Sequence, residues 1–115
     1  MILITRPISW IKAAKKDFEK FPQGAKQVVW EALTIGAEGR KGDSAKPMKG
    51  LGSGVFKIAL RYKSDAWRVV YAVEIGEDIW VVHAFQKKSK TGTKTPKQEI
   101  DLIKQRIKTL KEMMK

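Results

Sequence analysis

Lys57, Arg61 and Arg68 fall within two alternating apolar stretches, and Lys87-Lys88 closes a third. Lysine and arginine hold phosphate through charge-assisted hydrogen bonds, and a lysine of lowered pKa can also exchange a proton. Other chemical equipment is scarce. The chain has no Cys and one His, His83. That excludes disulfides, a thiolate nucleophile and a zinc site built from His and Cys. A Ser-His-Asp arrangement could use only His83. The 115 residues carry 24 Lys+Arg against 12 Asp+Glu, a net charge of +12. An excess of this sign is the electrostatic footprint of a nucleic-acid partner. An acidic protein or an anionic membrane would satisfy the charge as well.

The elements that must position these cations can be read from periodicity. At 43% hydrophobic and 31% charged, the chain reads as a single globular domain, 1–115. Trp10, Ala14, Phe18 and Phe21 share one face of a first helix, which Pro22 interrupts. Ile2, Leu3, Ile4 and Ile8 leave room for a short strand before Trp10. Ala25, Val28, Val29, Ala32 and Leu33 share a face of a second helix, ended by Gly36 or Gly39. Residues 39–54 read as a glycine-rich loop made basic by Lys41, Lys46 and Lys49.

Three antiparallel strands follow: Val55–Tyr62, Trp67–Ile75 and Ile79–Gln86. A four-residue loop pairs Tyr62 with Trp67, and a three-residue turn pairs Ile75 with Ile79. In that register Phe56, Ile58, Val69, Tyr71, His83 and Phe85 share the core face. Lys57, Arg61, Arg68, Trp80, Val82, Ala84 and Gln86 share an open face. Like charges gathered on one face repel, so they invite a polyanion between them. Trp80 could stack on an unpaired base or pack under a terminal helix. His83 reads as a core histidine. The segment 86–97 is a loop with Lys87, Lys88, Lys90, Lys94 and Lys97 and no acid. Thr95 as N-cap, Pro96 and Gln98 then open a last helix with an apolar stripe of Ile100, Ile103, Ile107, Leu110 and Met114. The start Met1-Ile2-Leu3-Ile4 is shorter than the roughly 7–15 apolar residues of a signal peptide. The longest apolar run, Val69 to Val73, falls far short of the roughly 20 residues of a membrane helix. A cytoplasmic protein with no membrane partner is expected.

Several stretches together resemble a known family. They are Lys46-Pro47-Met48-Lys49-Gly50-Leu51-Gly52-Ser53-Gly54-Val55-Phe56, Trp67-Arg68-Val69-Val70-Tyr71, His83-Ala84-Phe85-Gln86-Lys87-Lys88-Ser89-Lys90-Thr91 and Thr95-Pro96. In order and spacing they look like the RelE/ParE superfamily of bacterial type II toxins, in its phage-derived, HigB-like branch, over residues 8 to 110. The resemblance implies an α+β fold: two N-terminal helices packed on a small twisted antiparallel sheet, with a C-terminal helix. It implies a cognate antitoxin of helix-turn-helix type and, as further partners, the ribosome and mRNA. It implies cleavage of mRNA without metal or cofactor, by attack of a ribose 2′-OH on the adjacent phosphate. Arg68 matches the central-strand arginine that stabilises the transition-state phosphate, Lys57 the strand lysine, and Lys87 or Lys88 the basic residue closing the last strand. Lys90, Lys94, Lys46, Lys49 and Trp80 would contact RNA.

The chain departs from the pattern in two places. Many members of the branch have Glu at the Lys57 position and Arg two residues on, where this chain has Ala59; Arg61 could stand in. The family's C-terminal catalytic Tyr or His has no counterpart past Lys87. A ParE-like gyrase inhibitor and a decayed toxin that still binds nucleic acid therefore stay open. If the basic surface holds phosphates, affinity for single-stranded RNA falls steeply with salt. The slope of log K against log salt should be about −0.7 per phosphate contact. A flat response in a filter-binding series would show that the lysines do not engage phosphate.

Overall fold

β-Branched and aromatic residues at 8–10 favour an extended chain, and a strand forms there before any helix. The computed structural model describes residues 5–87 and 95–114. The order is β1 (Ile8–Trp10), α1 (Lys12–Phe18), α2 (Gln23–Ala37), β2 (Ala45–Pro47), β3 (Val55–Tyr62), β4 (Asp65–Ala72), β5 (Ile79–Lys87) and α3 (Lys97–Met113). The strands form one sheet in the order β1-β5-β4-β3-β2. The α+β expectation holds, with one correction: the sheet is mixed. β1 runs parallel to β5, and the other neighbours are antiparallel. The long connection through the helices is what lets a parallel pair form. β2, inside the expected loop, is a further addition. No helix of the described residues is long and apolar enough to cross a membrane.

α1 and α2 cover one face of the sheet. α1 has seven residues and no side-chain N-cap. A helix so short is unstable alone, so it is held by the burial of Ala14 and Phe18. Trp10, expected at the head of this helix, lies in β1 and packs its ring on Phe18 at 4.9 Å. Pro22 starts α2, and its carbonyl accepts the Lys26 N–H at 2.9 Å. α2 buries Ala25, Val29, Ala32 and Leu33 against Ile58, Val69 and Tyr71. Leu33 and Val29 are fully buried, each stabilising the fold by about 1.5–3 kcal/mol. Val28 falls beside this stripe and is exposed.

α3 covers half of the opposite face. Ile103, Ile107 and Leu110 pack on Val70, Ala72 and Val82, joined by Met48, Leu51, Val55 and Ile75. That face is therefore not open along its whole length. Ile75, expected beside Val73, belongs to this second core, because β4 ends at Ala72. Met114 is exposed. Pro96, not Thr95, occupies the N-cap of α3, with no side-chain cap. The Thr95 hydroxyl instead faces the Lys57 ammonium at 3.4 Å.

Two register details decide what each face presents. Tyr62 pairs with Asp65 across a two-residue turn, where four loop residues were expected. Lys63 and Ser64 both have positive φ, 51° and 72°, as a type I′ turn requires. The shift is two residues, so parity survives and the faces of β3 and β4 stand as expected. β5 differs. Tyr71 pairs with Val81, but Val70 pairs with His83. Val82 is the extra residue of a β-bulge, which changes the face of everything after it. His83 and Phe85 turn to the α3 side. Ala84 turns to the α1–α2 core, and Gln86 pairs with Trp67.

Lys63 and Ser64 lack the preferred chemistry for their conformation. Replacing the pair with Asn-Gly (Lys63→Asn with Ser64→Gly) should stabilise the protein by about 0.5–1 kcal/mol, read as a higher melting temperature. A lower melting temperature would mean that these side chains contribute contacts of their own.

Candidate nucleic-acid interface

The bulge and the β3–β4 hairpin place basic residues on three adjacent strands, beyond the end of α3. On this face Arg68 sits mid-sheet between Ala59 of β3 and Phe85 of β5. Arg61 and Lys87 flank Ala66 in the next row. Lys57 lies opposite Lys46 of β2. Ala59 and Ala66 are small, which leaves space over the sheet for the Arg68 side chain. Its Nη1 donates to the Trp67 carbonyl at 3.0 Å. Among the described residues, none of Lys46, Lys57, Arg61 and Arg68 has an ion-pair partner. Such a cluster repels itself and attracts a polyanion.

The electrostatics follow from this crowding. Burial lowers the Lys57 pKa, and Arg68, Lys87 and Lys46 lower it further. Lys87 is only 6% exposed. Burial and then Arg68 push its pKa down. Arg68 is lowered in the same way by burial and by Arg61. Depressed lysines are closer to releasing a proton at neutral pH and remain proton donors when charged.

Other expected site residues lie elsewhere. Lys49 is exposed in the turn after β2. Trp80 packs partly buried against the second core, with its indole N–H lacking a partner. It precedes Lys87 by seven residues on β5, roughly 23 Å at about 3.3 Å per residue. Trp80 is thus beneath the terminal helix and away from the cluster. Lys88, Lys90 and Lys94 lie outside the described residues.

The site also contains groups the sequence reading missed. Arg106 donates from Nη1 to His83 Nδ1 at 2.9 Å and to the Val82 carbonyl at 3.0 Å. Glu99 meets His83 Nε2 on the other side. A guanidinium can only donate, so Nδ1 accepts and Nε2 carries the proton that Glu99 accepts. His83 is buried, but bound to α3 and not within the α1–α2 core. The available signal was on α3: Glu99 and Arg106 are two turns apart and share a side of the helix. Among the described residues, no three His, Asp or Glu side chains gather as metal donors.

Comparison with known proteins adds independent findings. The family profile described as Phage derived protein Gp49-like (DUF891) matches residues 16–108. The fold is similar to that of a mutant of Escherichia coli toxin RelE in the free state. There the TM-score is 0.63 and the identity 16%, with 91% of this chain and 97% of that chain covered. A second similar structure is the toxin–antitoxin complex RelBE2 from Mycobacterium tuberculosis. It has a TM-score of 0.48 and 17% identity, covering 76% of this chain and 98% of that chain. No curated protein sequence matches.

The lowered Lys57 pKa has a sign for stability. While Lys57 is charged in both folded and unfolded chains, its crowding destabilises the fold. That penalty is complete below the folded pKa. It is relieved as pH rises through the folded pKa, where the unfolded chain still holds the proton. Lys57→Met, which keeps the apolar stem, should therefore melt higher than the parent at pH 7 in low salt. The difference should shrink as salt screens the cluster. A variant that melts lower would show that the Lys57 charge is compensated.

Proposed function

The chain belongs to the phage-derived Gp49-like family, and from that premise we propose that it is a toxin that cleaves messenger RNA on the ribosome, neutralised by a cognate antitoxin. The observation that supports this reading most is the convergence of Lys57, Arg61, Arg68 and Lys87 beyond the end of α3. RNA brings its own nucleophile, so the protein needs to supply only charge and proton transfer. Lys57, with its lowered pKa, takes the 2′-OH proton. The 2′ oxygen bonds to the adjacent phosphorus in line with the leaving 5′ oxygen. Arg68, with Arg61 beside it, stabilises the added negative charge. Lys87 gives a proton to the 5′ oxygen as the P–O bond breaks. The products are a 2′,3′-cyclic phosphate and a 5′-hydroxyl end. Arg61 takes the place of the arginine that related chains carry at the Ala59 position.

The same surface accounts for the partners. Ribosomal RNA and mRNA present phosphates to a chain of net charge +12. An antitoxin of helix-turn-helix type would silence the toxin by laying an acidic segment over the cluster, and the pair would act in the cytoplasm.

Arg68→Ala tests the reading. It should retain its fold and lower cleavage by about 100- to 1000-fold, the usual cost of losing one transition-state donor. Growth arrest on expression should disappear. Mapping 5′ ends of cellular mRNA during expression of the parent should show cuts at codon boundaries. Loss of plasmid supercoiling without such cuts would replace cleavage with gyrase inhibition.

A further inference from the structure

β1 pairs with β5 only at Ile79, Trp80 and Val81. From His83 to Lys87, β5 keeps one strand neighbour, β4. A cleft of about 430 Å³ lies along this edge, between the end of α1 and the start of α3. Its walls include Phe21, Trp67, His83, Phe85, Gln86 and Glu99.

The chemistry of these walls is selective. Phe85 stacks on His83 with ring centroids 5.0 Å apart and planes at 24°. Phe21 and Trp67 stand 4.6 Å apart. Phe85, partly exposed, offers a flat apolar surface of the kind on which an unstacked base lies, while Phe21 and Trp67 are buried and form the floor on the α1–α2 side. Trp67 is 8% exposed, and its indole N–H has no hydrogen-bond partner. A buried unpaired donor is costly unless a ligand supplies an acceptor. Glu99 uses Oε2 on His83, which leaves Oε1 without a partner among the described residues. Arg106 holds His83 from its far side, so the Glu99 carboxylate is fixed in place.

The cleft adjoins the cationic cluster across single strand positions. Trp67 pairs with Gln86, and the next pairs are Arg68 with Phe85 and Ala66 with Lys87. Phe85 of the cleft is the strand partner of Arg68 and shares its face with Lys87, two residues on, so the cations border the cleft on that side. We propose that the cleft binds an unpaired nucleobase bearing an exocyclic amino group, namely guanine, adenine or cytosine and not uracil. This rests on the cleavage reading for its RNA substrate. A carboxylate only accepts, so Glu99 takes the amino N–H and disfavours the carbonyl-flanked edge of uracil. Glu99 is the specificity-determining residue, and Arg106 and His83 position it.

The test needs no cleavage. The ¹⁵N-indole resonance of Trp67, assigned with Trp67→Phe, is followed while the four nucleoside 5′-monophosphates and ribose 5-phosphate are titrated. The resonance should shift saturably with the amino-bearing nucleotides. UMP should bind at least about fivefold more weakly, the low end of what one base-edge contact discriminates. Glu99→Gln keeps an acceptor for His83 and turns an amide N–H to the base, so UMP should then bind as well as CMP. Phe85→Leu should weaken all the nucleotides without changing their order. An equal response to all four and to ribose 5-phosphate would overturn the pocket, as would a resonance that does not move. Base-selective binding by a protein that leaves mRNA intact would support the pocket and remove the cleavage reading alone.

Discussion

Between Tyr71 and Val70, β4 advances by one residue while β5 advances by two, from Val81 to His83. The extra residue is Val82, and the chemistry of the basic face depends on it. Ahead of the bulge, Ile79 and Val81 point into the α1–α2 core. Beyond it, His83, Phe85 and Lys87 turn to the face that holds Arg68, while Ala84 enters the core. With unbroken alternation Lys87 would have pointed beneath the N-terminal helices, and burying that charge there would be costly. Val82 keeps its own place against Ile103 and Ile107, so the bulge does not empty either core.

α3 divides the same face into two regions. Its apolar stripe covers Val70, Ala72 and Val82, which would otherwise meet water. At the head of the helix Thr95 stands over Lys57 and Glu99 over His83. The cover therefore ends where the cations begin. The stability of the fold comes from the two cores on either side of the sheet. The crowded lysines and arginines oppose that stability, as groups selected for binding often do. The total charge of +12 says only that an anionic partner is attractive. Placement on three neighbouring strands gathers part of that charge into one cluster on one face of the sheet.

The elements were legible because their signals are local. Alternation gave the bounds of β3, and helical spacing gave the stripes of α2 and α3, since burial on one face imposes a period on nearby residues. Lys57, Arg61 and Arg68 could be grouped for the same reason. They share parity across one hairpin, and an error of two residues in the turn left that parity intact. β2 was missed because three residues, Ala45 to Pro47, carry too little periodicity to stand out from a glycine-rich loop.

What the sequence alone determined was which residues alternate, which helices have an apolar side, and that three cations of one hairpin face the same way. These follow from steric geometry within a few residues. The tertiary structure decided that β1 lies parallel to β5, that Lys87 and Phe85 join Arg68, and that Trp80 lies beneath α3 away from them. It also brought Glu99 and Arg106 onto His83. Those outcomes depend on one unpaired residue and on contacts between distant segments. Val82 and His83 suit either register equally well as isolated side chains, and only the packing of α3 on one face and of α1 and α2 on the other selects between them.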